Sequence, residues 1–324
     1  MPILNEMNQH QTRVASHCRK WMVVAAMVIA GLYANDSFLR FAVKCNPSTR
    51  VNLLLTSPPR IDRIAVLGSS MIANAISAKQ LSEAVHDDVI QLAVGGQGLQ
   101  EQALIWDLYI ARHRCEVLVL ELHDESLQRG AIPDPLREDR YSAYLDNTIV
   151  RRHLAEHCGA MKLMLWQYVP MYAFAEFSSK IGWQDWVGVA KGEAYDVYAP
   201  SIYADSQPSL STLAEQSHKH QKRKPGDVDR SAVDALRSIL NSAMLAGVRV
   251  VIVKPPRFDV GQTSERDAQG IRLQRSEIQS LEQVEFSIAS QHDPTMFDDA
   301  RHASERGSNQ FTKELAAALV SLLR

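Results

Sequence analysis

The chain has 324 residues, 46% of them hydrophobic and 22% charged, with a formal net charge of −2. This is the composition of a folded protein with room for one large core or two small ones; it excludes a disordered chain, and it lacks the global basic field that nucleic acid attracts. The four cysteines, Cys18, Cys45, Cys115 and Cys158, have no CxxC spacing, so neither a zinc site nor a disulfide framework is expected, although one pair bridged in an oxidising compartment stays open.

The first predicted element is an apolar helix. Behind Arg13, Arg19 and Lys20, the run Trp21–Ala34 (WMVVAAMVIAGLYA) carries no charge, and Asn35-Asp36 interrupts it before Phe38 and Leu39. A spanning helix needs about 20 apolar residues, so the run is short, but Trp21, Tyr33 and the basic flank suit membrane interfaces. Basic residues before the run and few after it predict that the rest of the chain lies outside the cytoplasm. The expected division is a tail over residues 1–20, an anchor over 21–43 and a folded domain over 44–324. A cleaved signal peptide fits less well, because the leading polar region is long and Leu32-Tyr33-Ala34 is a poor cleavage site; a buried helix is the bland alternative.

Past residue 60, strands alternate with helical segments. Ile61–Leu67 reads as a strand, Ile72–Val85 as a helix, Val89–Val94 as a strand, Leu99–His113 as a helix and Val117–Leu122 as a strand. Leu163–Val169 has no period that separates a strand from a buried helix. Ser231–Ala246 is an amphipathic helix ended by Gly247, Val248–Val253 is a strand, and Ser308–Leu323 is a closing helix. This order predicts an α/β domain with a mainly parallel sheet.

Residues 171–230 break the pattern. They carry Tyr172, Phe174, Phe177, Trp183, Trp186, Tyr195, Tyr198 and Tyr203, and then the basic run His218–Lys224 (HKHQKRK). One reading is an insertion between the halves of one domain, ending in a solvated loop. The other is a lid whose aromatics stack on sugar rings. No carboxylate or cysteine joins these histidines at ligand spacing, so no metal is expected.

Two short stretches carry the chemistry. In "IAVLGSSMIANAI" (residues 64–76) a strand meets Gly68-Ser69-Ser70 and turns into a helix, which sets a hydroxyl at the strand edge where ligands of open α/β sheets bind. Backbone N–H groups at the helix start also suit a developing oxyanion. Helix capping explains a serine there more simply, and on this stretch alone it is the favoured reading. In "MFDDARHASERG" (residues 296–307) Asp299 and His302 stand three apart. A serine hydroxyl attacks only when a base takes its proton; an imidazole does this near neutral pH, and a carboxylate on its other nitrogen fixes the tautomer.

Together these stretches resemble the SGNH (GDSL-like) hydrolase superfamily. Gly68-Ser69-Ser70 matches the first block, whose third residue, here Ser70, is the nucleophile. Leu92–Leu99 (LAVGGQGL) is similar to the second block, with Gly96 the nearest match to the oxyanion glycine and Gly95 next to it. Asp299-Ala300-Arg301-His302 matches the DxxH block, and a helix follows it. The resemblance covers residues 61–127 and 231–324. It departs in three places: Ser69 replaces the usual aspartate, His123-Asp124-Glu125 stands where the third block supplies an asparagine, and Ala303-Ser304 replaces the usual Leu-Asn.

The resemblance implies a three-layer α/β/α sandwich of flavodoxin-like type and a serine esterase or O-acyltransferase needing no cofactor or metal. Its triad would be Ser70, His302 and Asp299, with Gly96, Gly95 and His123 as oxyanion candidates and Asp298 a bystander. With the anchor, it further implies a single-pass bacterial inner-membrane protein whose periplasmic domain acylates or deacylates an envelope polysaccharide beside a multi-spanning acyltransferase partner. The substrates would be an acyl donor and a glycan or small ester. The alternative from another class is a catalytically silent SGNH-like binding or scaffold module.

Overall fold

The computed structural model describes residues 2–46, 49–123, 126–128, 136–177, 180–192, 209–221, 227–258, 282–284 and 292–323. The chain divides into two compact units: unit one holds residues 1–47 and 139–193, and unit two holds residues 48–138 and 194–324.

Unit two is built on a parallel sheet of five strands: β1 (Ile61–Leu67), β2 (Val89–Gln91), β3 (Arg114–Glu121), β4 (Arg249–Val253) and β5 (Glu282–Val284), in the order β2-β1-β3-β4-β5. Runs such as Val117-Leu118-Val119-Leu120 and Val250-Val251-Ile252-Val253 are buried on both faces, which is why they read as continuous rather than alternating apolar sequence. Ile64, Val66, Val117, Val119, Val251 and Val253 share one face with Ile72, Leu81 and, from the closing helix Glu305–Leu323, Phe311, Leu315 and Leu319. The intervening residues, Ala65, Leu67, Leu118, Leu120 and Ile252, are also buried and point to the other face. That face is covered by the helices Leu99–Ile110 and Arg230–Leu245, which pack on each other and join through Trp106 Nε1, a donor to Ser242 Oγ at 2.9 Å. The result is the expected α/β fold with helices on both faces. Strand order reverses at β1, so the crevice beyond the carboxyl ends of β1 and β3 is the topological switch point where open α/β sheets bind ligands.

The elements differ from the sequence reading in detail. Ile72–Val85 is not one helix but two, Ser70–Ala75 and Ala78–Val85, because Ile76 is extended and buried and Ser77 caps the second through a hydrogen bond from Gln80 N–H at 3.4 Å. Strand β2 ends at Gln91 rather than Val94, although Leu92 and Val94 N–H still donate to Val66 and Gly68 carbonyls at 2.7 and 3.1 Å. Leu163–Val169 falls in a helix, Ala160–Tyr168, and Val169 ends it. Arg230–Leu245 is capped by Asp229, whose Oδ1 accepts from Ser231 and Ala232 N–H at 3.1 and 3.3 Å. The helix and β4 belong to the same sheet unit as β1.

Unit one begins with a helix, Pro2–Cys45, far longer than the apolar run that marks it in the sequence. Its stretch Arg19–Cys45 is long and apolar enough to cross a membrane, with a mean hydropathy of 1.6 over its most apolar window. From Asp36 onward it is packed: Leu39, Ala42 and Val43 are buried. Arg40 pairs with Asp36 at 2.7 Å and donates to the Ser142 carbonyl at 2.9 Å. The helices Thr148–Cys158, Ala160–Tyr168, Tyr172–Glu176 and Lys180–Ala190 complete the unit. Gly182 is small of necessity, since a Cβ there would stand 2.8 Å from Leu39 Cβ. Of the aromatics in the 171–230 region, Phe174 is buried, Phe177 packs on Trp166, and Trp183 and Trp186 each stand 5.3 Å from Phe38. Tyr195, Tyr198, Tyr203 and the side chains of His218–Lys224 lie outside the described residues.

Candidate active site

The two serines after β1 divide the roles that competed in the sequence. Ser69 is the helix cap: its backbone is extended (φ −91°, ψ −169°) and its Oγ accepts from Met71 N–H at 3.2 Å, the geometry expected of an N-cap. Ser70 is the first helical residue, half-exposed, and its Oγ lies 2.9 Å from His302 Nε2. The cap therefore leaves the second hydroxyl available for chemistry.

The turn that carries them rests on a buried carboxylate. Glu121, the last residue of β3, is 1% exposed, and it takes both polar groups of Ser69: the hydroxyl donates to Oε1 at 2.8 Å and the backbone N–H donates to Oε2. Gly68 crosses directly over this side chain; a Cβ there would collide with the Glu121 carboxylate and stand 2.6 Å from Glu121 Cβ. Burial pushes the Glu121 carboxyl up, against the opposing effects of the Ser69 hydrogen bonds and the Arg301 charge. Sequence reasoning missed Glu121. The available signal was an acidic residue closing a buried run of branched side chains, a place where charge is rare without a partner.

Asp299 and His302 arrive on one turn, held at its base by an antiparallel bridge between Phe297 and Ala303. Phe297 is fully buried against Phe258 and Phe311, at ring separations of 5.9 Å for each, so the turn is rooted in the core. The three-residue spacing has a local cause. Asp299 Oδ1 accepts from the N–H groups of Arg301 and His302 at 2.7 and 2.9 Å, an Asx-type turn, which leaves Oδ2 to face His302 Nδ1 at 2.8 Å. Desolvation pushes the Asp299 carboxyl up, but the hydrogen bond and charge of His302 and the two backbone donors outweigh it and hold it below the usual carboxylate range. An ionised carboxylate only accepts, so Nδ1 is the donor to Asp299, and the neutral imidazole with that tautomer presents a lone pair on Nε2 to Ser70. The neighbouring Asp298 is tied in by its backbone, donating from N–H to the His302 carbonyl at 2.9 Å.

The three triad candidates thus come together, and the oxyanion candidates take different positions. The bond from Val94 N–H to the Gly68 carbonyl draws the Gly95-Gly96 loop to the serine turn. Gly95 abuts Ser70, for a Cβ on it would stand 3.8 Å from Ser70 Cβ; Gly96, at φ +75°, has open space on its Cβ side. His123 is half-buried past the end of β3, in a turn closed by its N–H donating to Ser126 Oγ at 3.1 Å. Asp124 and Glu125 lie outside the described residues. Among the described residues no group of three or more His, Cys, Asp or Glu is arranged to hold a metal, and Cys45, Cys115 and Cys158 form no disulfide.

No family model and no curated protein matches this chain. Among solved structures, it is similar to a candidate acylhydrolase from Bacteroides fragilis, with 10% identity and a TM-score of 0.42 over 86% of this chain and 98% of that one.

Proposed function

We propose that this chain is a membrane-anchored serine acyl-ester enzyme that works through Ser70, His302 and Asp299 and an acyl-enzyme intermediate. The observation that carries the reading is the relay Ser70 Oγ to His302 Nε2 at 2.9 Å and His302 Nδ1 to Asp299 Oδ2 at 2.8 Å, formed by residues 232 positions apart. A capping serine and a surface Asp-His pair have no reason to meet in this order. In the proposed mechanism His302 Nε2 takes the hydroxyl proton as Ser70 Oγ attacks the ester carbonyl, and Asp299 stabilises the imidazolium. Collapse of the tetrahedral intermediate expels the alcohol, which receives the proton from His302. Water or a glycan hydroxyl then attacks the acyl-enzyme with His302 again as base. Backbone donors of the Gly95-Gly96 loop, beside Ser70, would hold the oxyanion, with His123 as a further donor; one such donor contributes about 3–4 kcal/mol in a known hydrolase.

The apolar helix and the resemblance to envelope acyl-transfer systems direct the proposal to envelope polysaccharide, with residues 1–20 cytoplasmic, residues 21–43 in the bacterial inner membrane and residues 44–324 periplasmic. Water as acceptor makes an esterase; a glycan hydroxyl makes an O-acyltransferase, served by a multi-spanning partner. A fluorophosphonate probe tests the reading: it labels the wild-type chain, and the label vanishes in Ser70→Ala. Absence of labelling in the wild type supports the silent binding module, for which the histidine in place of the third-block asparagine speaks.

A further inference from the structure

The first helix becomes buried too soon for its proposed span. Its residues from Trp21 to Ala34 are exposed and uncharged, but Asp36 and Arg40 follow immediately as a largely buried ion pair. Thirteen residues from Trp21 to Tyr33 rise only about 20 Å, whereas a bilayer's hydrocarbon core is about 30 Å thick. The missing length coincides with the part of the helix that unit one encloses. That enclosure also settles the charges, since Arg40 reaches Asp36 and the Ser142 carbonyl rather than lipid. Ionisable groups at membrane depth are found buried in protein and paired in this way.

The outside of the enclosure is apolar where it meets the helix. On Ala160–Tyr168 and the turn after it, Met161, Met164, Tyr168, Val169 and Tyr172 are all exposed, Met161 at 71% and Tyr168 at 62%. The single charge between residues 160 and 175, Lys162, is engaged with Glu176 at 2.8 Å. This face is fixed to the end of the apolar run: Tyr33 Oη donates to the Tyr168 carbonyl at 3.1 Å, and Met171 N–H donates to Asp36 Oδ1 at 2.9 Å. Trp183 and Trp186, both partly exposed, flank Phe38 further along the same helix. Tyrosine and tryptophan at such a level are the side chains that membrane interfaces favour.

We infer that unit one is a lipid-embedded collar: the Met161–Tyr172 face lies among the acyl chains and headgroups of the leaflet on the folded side, completing the short span. The occupant is phospholipid, continuous with the lipid around Trp21–Tyr33. The inference rests on the anchoring part of the proposed function and is independent of the triad.

The test uses the full chain in vesicles of phosphatidylethanolamine and phosphatidylglycerol, with a benzophenone amino acid placed singly at Ile29, Met164 or the exposed Glu156. Lipid adducts at Ile29 and Met164, with none at Glu156, are the expected result. An adduct at Ile29 with none at Met164 overturns the collar and leaves the anchor standing; none at either site overturns both. Protein-to-protein adducts at Met164 would assign the face to a second copy instead and overturn the collar, as would equal lipid labelling at Glu156. Met161→Glu with Met164→Glu should strongly reduce lipid capture by benzophenone at Tyr168 while Ile29 capture persists; unchanged capture at Tyr168 also defeats the inference.

Discussion

The two ends of the sheet in unit two carry similar side chains to opposite effect. At the amino end, Asp62 is fully buried and accepts from Arg60 Nη2 at 2.8 Å and Tyr109 Oη at 3.0 Å. His113, 1% exposed, stacks on Tyr109 and takes the Arg60 N–H on Nδ1 at 3.2 Å, while its other nitrogen faces the Leu54 carbonyl. Burial lowers the His113 basicity and pushes the Cys115 thiol up to about 12. At the carboxyl end the Asp299-His302 pair stays partly exposed and meets a half-exposed hydroxyl. An aspartate and a histidine make a structural knot where both ring nitrogens are spent on backbone groups, and the proposed relay where one remains aimed at an accessible hydroxyl.

Mutagenesis can sharpen that contrast. Ser70→Ala and His302→Ala should each remove nearly all acyl turnover, by analogy on the order of 10⁶-fold, and the double variant should be little worse, since members of one catalytic unit are not additive. Their folding should change by no more than about 1 kcal/mol; rates on an activated ester beside denaturant titrations give both numbers. Asp299→Asn should lower turnover less than either, by roughly 10⁴-fold, through loss of the tautomer and the imidazolium partner. At the amino end the effects should reverse. Asp62→Ala strands Arg60 and removes an acceptor from the buried Tyr109 hydroxyl, so it should destabilise by about 1–3 kcal/mol while leaving turnover per folded molecule intact. Wild-type kinetics accompanied by wild-type stability in Asp62→Ala would break the comparison.

The smallest effect lies in the pH dependence of stability, where the two carboxylates at the carboxyl end of the sheet have opposite signs. Asp299 is depressed in the folded chain, so its contribution is present above the ordinary carboxylate range and is lost as the pH falls through its folded value. Glu121 is raised, so stability declines as the pH climbs from the ordinary range towards its folded value. Glu121→Gln should therefore lose ground to the wild type least at neutral pH and most in acid, and Asp299→Asn the reverse. Denaturation midpoints across pH 3–8, spanning the ordinary carboxylate value of about 4, would show it.

Local chemistry made part of this molecule legible. The branched runs of β1, β3 and β4 announced a buried parallel sheet, and the Asp299–His302 spacing works through an Asx turn that belongs to those four residues alone. The resemblance pointed to Ser70 as the reactive member of the serine pair, but the physical basis of the division could not be read, because Ser69 is held by Glu121, 52 positions away and contributed by another strand. The break at Ile76 was hidden for the same reason: Ser77 N–H finds its acceptor on Thr312, 235 residues away. Unit one is the other gap. Its helix Ala160–Tyr168 has an apolar outward face as well as a buried inner one, so no amphipathic period marks it.

The distance in sequence between Ser70 and His302 also sets a timetable. The hydroxyl and the turn it needs are made early in synthesis, while its base waits for a turn rooted by Phe297 and for Glu305–Leu323 to dock on the early helices, where Thr312 takes the Ser77 N–H. A nascent or truncated chain that lacks the last turn and helix would hold an ordinary alcohol at position 70. On the proposed function, competence for ester chemistry would then switch on as one of the final events of folding, and a half-made chain would be inert towards esters.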